Sequence, residues 1–282
     1  MKKILISGVA LLLGACSMLQ SEQEQVQHKQ IHQFMYCASV HEQLGDVALK
    51  EYKIDHQTST QDAMLDWYDI SGSEAQYATE VYYKTYLASP MDMAEYNRIS
   101  NELKGSKTIK DIATDLGVPD AVQEAERDVS KVLAKIGSNG ILQQDNYDTL
   151  DKAFEGKCFE QFSDYTDMKS ELLSQKEEAS VAVQTSGVCI GTYNALSMMA
   201  TDTSPAAVKP LAQMAGVMSS ITYGYLNEEN VEALYDHIYM ANERLVTKRI
   251  TQDELYTQLQ NCQETYKVAN QYMVQHIVDA KK

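Results

Sequence analysis

The chain reads as an all-α protein built from two tandem helical units, and three observations predict it. From about Ile31 onward apolar residues recur at helical spacing almost without interruption. No β-branched, alternating run competes with that pattern anywhere. Helix-start signals punctuate it, the clearest being Thr251 and Glu254 as a capping box with Ile250 and Leu255 as its hydrophobic staple. With 44% apolar residues in 282, the chain has material for one large core or two smaller ones.

The first element is Met1 to Cys16, MKKILISGVALLLGAC. Two lysines precede a short apolar run, Ile4 to Leu13, which falls short of the ~20 residues a membrane-spanning helix needs. Charged start, apolar centre and small residues before a cysteine form an export signal. Leu13-Gly14-Ala15-Cys16 resembles the lipobox of bacterial lipoproteins. That resemblance implies removal of residues 1–15 and acylation of Cys16, with more than one chain giving stable anchoring to the membrane. It also implies, through Ser17 rather than Asp after the cysteine, delivery to the cell outer membrane in preference to the inner one. Residues 16–30 then form the lipidated N-terminus and a polar, Gln-rich tether whose far end can join the first helix. His28 and His32 are four apart within reach of one helix face, but no third ligand stands near, so no metal is assigned.

Unit 1 spans residues 31–175. Phe34, Cys37, Val40, Leu44 and Val47 make its first stripe. Candidate helices follow at Ala63 to Tyr68 and Glu74 to Ala88, and Ser89-Pro90 opens another at Met91 to Leu103. Lys104 to Lys110, polar with Gly105, reads as a loop. Ala121 to Ile136 is amphipathic and is stopped by Gly137-Ser138-Asn139-Gly140. Tyr147 to Leu173 closes the unit. Unit 2 spans residues 180–282. It runs from near Val181 to Ala200, breaks at Thr201 to Pro205, and resumes at Leu211 to Leu226. Asn227 reads as an N-cap, and the helix opened at Thr251 carries Leu255, Leu259, Cys262, Tyr266, Ala269, Met273 and Ile277.

The halves look like copies. Ala75-Gln76-Tyr77-Ala78 parallels Ala212-Gln213-Met214-Ala215, and Thr-Tyr follows ten residues after each first alanine. Each half opens and closes with a cysteine on an apolar stripe, the first with a longer insertion. Four cysteines in an exported chain allow three pairings. Duplication selects Cys37–Cys158 and Cys189–Cys262, each contributing ~4–5 kcal/mol by chain-entropy arithmetic. The alternative, four buried thiols, suits an oxidising compartment less well. The layout loosely resembles uncharacterised exported proteobacterial helical proteins bracketed by two cysteines. That resemblance implies a fold type and no activity.

Removing residues 1–15 takes away Lys2 and Lys3 and no acid, which moves the net charge from −16 to about −18. Such a surface repels nucleic acid. Motifs that carry chemistry are missing. His41-Glu42-Gln43-Leu44 begins like a zinc-protease helix, but Gly45 stands where the second histidine belongs. Neither a phosphate-binding glycine loop nor a serine elbow occurs. Asp145 to Asp151 lacks the glycine and closing glutamate of an EF-hand. Asp62, Asp66 and Asp69 beside Trp67 have the outline of a sugar site, although a solvated acidic face accounts for them better.

No cofactor and no catalytic residue are assigned, and an enzyme is the less favoured reading. The sequence points to an outer-membrane lipoprotein whose helical body binds an envelope protein partner. Its candidate interaction surface is the tyrosine-rich pair of helices carrying Tyr77, Tyr82, Tyr83, Tyr86, Tyr223 and Tyr225. The alternative is an envelope hydrolase or small-ligand binder with its site between the two units.

Overall fold

Fifty-one consecutive helical residues, α1 (Leu5–Asp55), lead into the body of the protein. The computed structural model describes residues 5–86, 108–136, 144–173, 179–228 and 230–279. Among these residues there are nine helices and no strand. The stretch expected as a tether is thus helical rather than extended, and Gln27 within it is buried. The side chains of residues 5–23, Cys16 among them, lie outside those described, as do the helix expected at Met91 to Leu103 and the stop at Gly137 to Gly140.

α1 ends where His56 takes a left-handed φ of 52°. The Asp55 carboxylate accepts from the Gln57 amide and the Thr60 hydroxyl, which turns the chain into α2 (Thr58–Tyr86). α2 joins what the sequence presents as two helices. Its central Ser71-Gly72-Ser73, weak helix formers, is held by tertiary contact: the Ser71 hydroxyl donates to the Ala38 carbonyl and Ser73 to that of Gly216.

Of the loop expected at Lys104 to Lys110, residues 104–107 lie outside the described residues, while Ile109 and Lys110 are helical. Thr108 and Asp111 form a capping box that opens the short α3 (Ile109–Asp115). Gly117, at φ 77°, turns the chain into α4 (Pro119–Ile136). α5 (Gln144–Leu173) completes the first half. The second half holds α6 (Ala179–Thr203), α7 (Pro205–Tyr223), α8 (Val231–Val246) and α9 (Gln252–Asp279). α7 starts six residues before the expected Leu211, at a proline suited to a first helical turn. Asn227 and Asn230 exchange side-chain bonds to each other's amide one turn before α8 becomes regular. The capping box at Thr251 and Glu254 forms as expected.

Both disulfides form. Cys37–Cys158 ties α1 to α5 and Cys189–Cys262 ties α6 to α9, with Cα atoms 5.6 and 5.4 Å apart. Each lies inside its own apolar core. The cores do not respect a boundary near residue 180, however. Val208 and Ala212 of α7 belong to the first core, while Ala215, Met218 and Ile221 belong to the second, which also takes in Leu173 at the end of α5.

The split in α7 falls where it crosses α2. A Cβ on Gly72 would stand 2.1 Å from the Gln213 carbonyl oxygen, and one on Gly216 would stand 1.8 Å from that of Asp69. Each helix therefore offers a glycine to the other's backbone, so the axes approach closer than any side chain permits. Lys209 of α7 extends the seam by pairing with Asp46 at 2.8 Å and Glu42 at 3.4 Å on α1. Gly216→Ala should destabilise the protein by about 3 kcal/mol or more, because the obstruction is backbone rather than a side chain that can turn away. Guanidinium unfolding measures it, and Gly156→Ala, where an added Cβ meets nothing, is the control that should change little.

Candidate functional site

The seam between the halves is filled. Beyond the crossing, Lys169 of α5 and Glu80 of α2 pair at 3.1 Å with no solvent exposure on either side chain. The ammonium also donates to the Ser220 carbonyl of α7 and lies 4.7 Å from the centroid of the Tyr77 ring. Gln76 donates to Glu80, and Tyr266 of α9 donates to Gln76 at 3.5 Å. Burial pulls the Lys169 pKa down and pushes that of Glu80 up, and each charge opposes the shift of the other. Removing either partner strands a buried charge, at a cost of about 3–5 kcal/mol. This is a structural clasp joining four helices.

A cavity of about 270 Å³ lies beside the Cys37–Cys158 disulfide. α5 lines it with Asp151, Glu155, Cys158 and Phe162, at successive spacings of four, three and four on one helix face. α2 contributes Ile70 and Glu74, and α1 contributes His41. His41 Nδ1 and Glu74 Oε2 are 2.8 Å apart and both side chains are buried. Burial alone would lower the histidine pKa, but Glu74 and then Asp151 outweigh it and raise it. Glu74 is raised by burial against the pull of His41. His41 belongs to no motif in the sequence, because Gly45 excludes the protease helix. In the structure Gly45 makes room for the Tyr68 ring, and His41 finds its partner 33 residues away instead.

A wider groove of about 730 Å³ runs beside the Cys189–Cys262 disulfide. Gln184, Thr185, Thr257 and Asn261 line it together with Arg244, Asp253 and Glu254. Neither cavity lies at the glycine crossing.

The outer surface offers a different feature. Gly187 and Gly191 of α6 sit against Leu234, His237 and Ile238 of α8, close enough that a Cβ at Gly191 would meet the Ile238 carbonyl at 2.2 Å. That contact fixes which face of α8 turns inward. Tyr235, Tyr239 and Val246 are left outward at helical spacing, 64%, 69% and 54% exposed. Met240 beside them is exposed as well.

The sequence-derived tyrosine surface is largely corrected. Tyr77 is fully buried, its ring 4.8 to 5.7 Å from those of Phe34, Phe162 and Tyr165. Tyr225 is buried in the second core, and Tyr82 is half-buried against the first. Both helices carry enough apolar surface to be drawn inward on the tyrosine side, which period alone does not reveal. The side chains of Tyr83 and Tyr86 lie outside the described residues. Of the four whose side chains are described, Tyr223 remains at the surface, its hydroxyl pKa raised by partial burial and then by Asp69 and Tyr235. The sugar-site outline dissolves because Trp67 is buried while Asp62 and Asp66 face solvent. His32 pairs with Asp120 at 3.4 Å, and His28 is exposed.

No protein-family model, curated protein or solved structure matches this chain.

Asp69, half-buried at the glycine crossing, makes the seam sensitive to pH. Burial first, and then the charge of Asp66, push its carboxyl up to about 7, against roughly 3.9 in an unfolded chain. Between those values the folded protein holds a proton that the unfolded chain releases. The stabilisation is therefore complete below about pH 4 and is lost as pH rises through 7. Asp69→Asn stays neutral throughout and should gain about 1–3 kcal/mol relative to the parent protein between pH 4 and pH 8. Urea unfolding of both proteins across that range reads the difference, and parallel curves would refute it.

Proposed function

We propose that this protein is a lipid-anchored binding module of the bacterial outer membrane, whose rigid helical body docks onto an envelope protein partner. The observation that carries the reading is the aromatic face of α8. Tyr235 and Tyr239 stand outward on a helix that cannot rotate, because Gly187 and Gly191 hold its opposite face against α6. Rigid exposed tyrosines supply contact area with little conformational entropy to lose on binding. The anchor rests on Leu13 to Cys16 and the export signal before them. Among the described residues no helix is long and apolar enough to cross a membrane.

We also infer that the two halves arose by duplication. Their helices take equivalent places: α1 and α6 each pack on the helix that follows, α2 or α7, then on α4 or α8, and each is bonded to the last helix of its half. The crossing is reciprocal and pairs Gly72 with Gly216. Cys37 precedes Gly72 by 35 residues and Cys189 precedes Gly216 by 27, so the second hairpin is shorter by about one turn on each arm. This register differs by seven residues, two turns, from the one that matches Ala75 with Ala212. A hydrolase with its site between the halves finds little support, since backbone and the Lys169–Glu80 clasp occupy the seam.

Two measurements test the proposal. Intact mass of the protein recovered from outer membranes should show Cys16 at the N-terminus carrying acyl chains. In-cell photo-crosslinking from Tyr239 should give a discrete adduct with an envelope protein, and Tyr235→Ala should weaken it at least fivefold without shifting the melting temperature. An unacylated Cys16 refutes the anchor, and adducts indifferent to Tyr235 refute the surface.

A further inference from the structure

The Cys37–Cys158 disulfide is surrounded by metal-ligand chemistry that its counterpart lacks. The two sulfurs and a Glu74 carboxylate oxygen all lie within 4.8 Å of one another and all three residues are buried; among the described residues no other group of three such ligands converges in this way. His41 stands just outside that group, its Nδ1 2.8 Å from Glu74 Oε2, and its ring must swing toward the sulfurs to become a fourth ligand. It stands one turn beyond Cys37 on the same face of α1, a spacing at which two side chains reach one ion. A cavity of about 270 Å³ is lined by His41, Glu74 and Cys158 together. Gln33 Nε2, 3.5 Å from Cys37 Sγ, is placed to donate to that sulfur as a thiolate. Two thiolates, one imidazole and one carboxylate form a donor set that suits zinc.

We propose that reduction of Cys37–Cys158 opens a zinc site made of Cys37, Cys158, Glu74 and His41, so that disulfide and metal are alternative staples between α1, α2 and α5. A dithiol donor passes two electrons and two protons to the disulfide, giving two thiols while it becomes a disulfide itself. Zinc then displaces both thiol protons and binds the thiolates. Re-oxidation by a disulfide carrier removes the two electrons and releases the ion. In a tetrahedral site with Zn–S bonds of ~2.3 Å, the sulfurs must part to roughly 3.8 Å. Cα atoms 5.6 Å apart allow this by side-chain rotation. Glu74 and His41 are then ligands instead of only each other's partner, which accounts for a buried acid and histidine placed against a disulfide.

The second disulfide is an internal control. Asp253 and Glu254 share its groove, but neither joins the sulfurs in a convergent group.

Cobalt(II) serves as the probe, since thiolate coordination gives it a charge-transfer absorption that oxygen ligands do not. The full-length protein, reduced anaerobically with a phosphine, should take up one equivalent with tetrahedral thiolate bands, and zinc should displace it. The oxidised protein should show no such bands. Cys189→Ser/Cys262→Ser should retain them and Cys37→Ser/Cys158→Ser should lose them, while Glu74→Gln and His41→Gln should each weaken binding at least tenfold. Far-ultraviolet circular dichroism is recorded in parallel. Should reduction unfold the chain, zinc must restore its helicity in the parent protein and in Cys189→Ser/Cys262→Ser. Reduced parent protein that gains neither bands nor helicity overturns the proposal, as does a band that survives in Cys37→Ser/Cys158→Ser.

Discussion

Two glycines set the shape of this protein. Where α2 crosses α7, Gly72 faces the Gln213 carbonyl and Gly216 faces that of Asp69, each at a distance that excludes a Cβ. Approach this close puts backbone against backbone across the seam between the halves. It also lets short polar side chains bond across it, as when Ser73 donates to the Gly216 carbonyl and Gln213 donates to the Ser71 hydroxyl. α7 serves both cores, feeding one below the crossing and the other above it, with Leu211 packed against each. A seam so closed has no room for a ligand at its centre.

Closing the seam has consequences further along it. Past the glycines lie Lys169 and Glu80, with Gln76, Tyr77 and Tyr266 around them. A buried ion pair is weak evidence of net stability, but it admits few alternative arrangements. Here it fixes α5 against α2 and α7 at one register. The cavity and the groove accordingly lie away from the crossing, beside the disulfides.

Much of the fold was legible because helices announce themselves locally. The capping box at Thr251 and Glu254 and the amphipathic run from Ala121 to Ile136 each depend on residues a few positions apart. The cysteine pairing was legible through the parallel order of the halves. Burial was not. A tyrosine has the same period whether it closes a core or faces water, and Tyr77 proved central while Tyr235 and Tyr239, never singled out, proved exposed. The cavity was equally hidden, since His41, Glu74 and Asp151 come from three helices and no spacing links them. One trace was available: Asp151, Glu155 and Cys158 share a helix face, an acidic stripe leading to a buried cysteine. Residues 69–73 fall between two helices expected from the sequence, yet they are helical and Gly72 packs against α7 at a distance that excludes a Cβ.

The central claim is that the crossing welds two stapled units into one cooperative body. Trp67, the lone tryptophan, is buried in the first core, so its fluorescence reports that half, while far-ultraviolet circular dichroism reports every helix. With both disulfides intact, guanidinium unfolding followed by the two signals should give one superimposable transition. A tryptophan transition separated from a second loss of helicity would show that the halves unfold independently, and the account would fail.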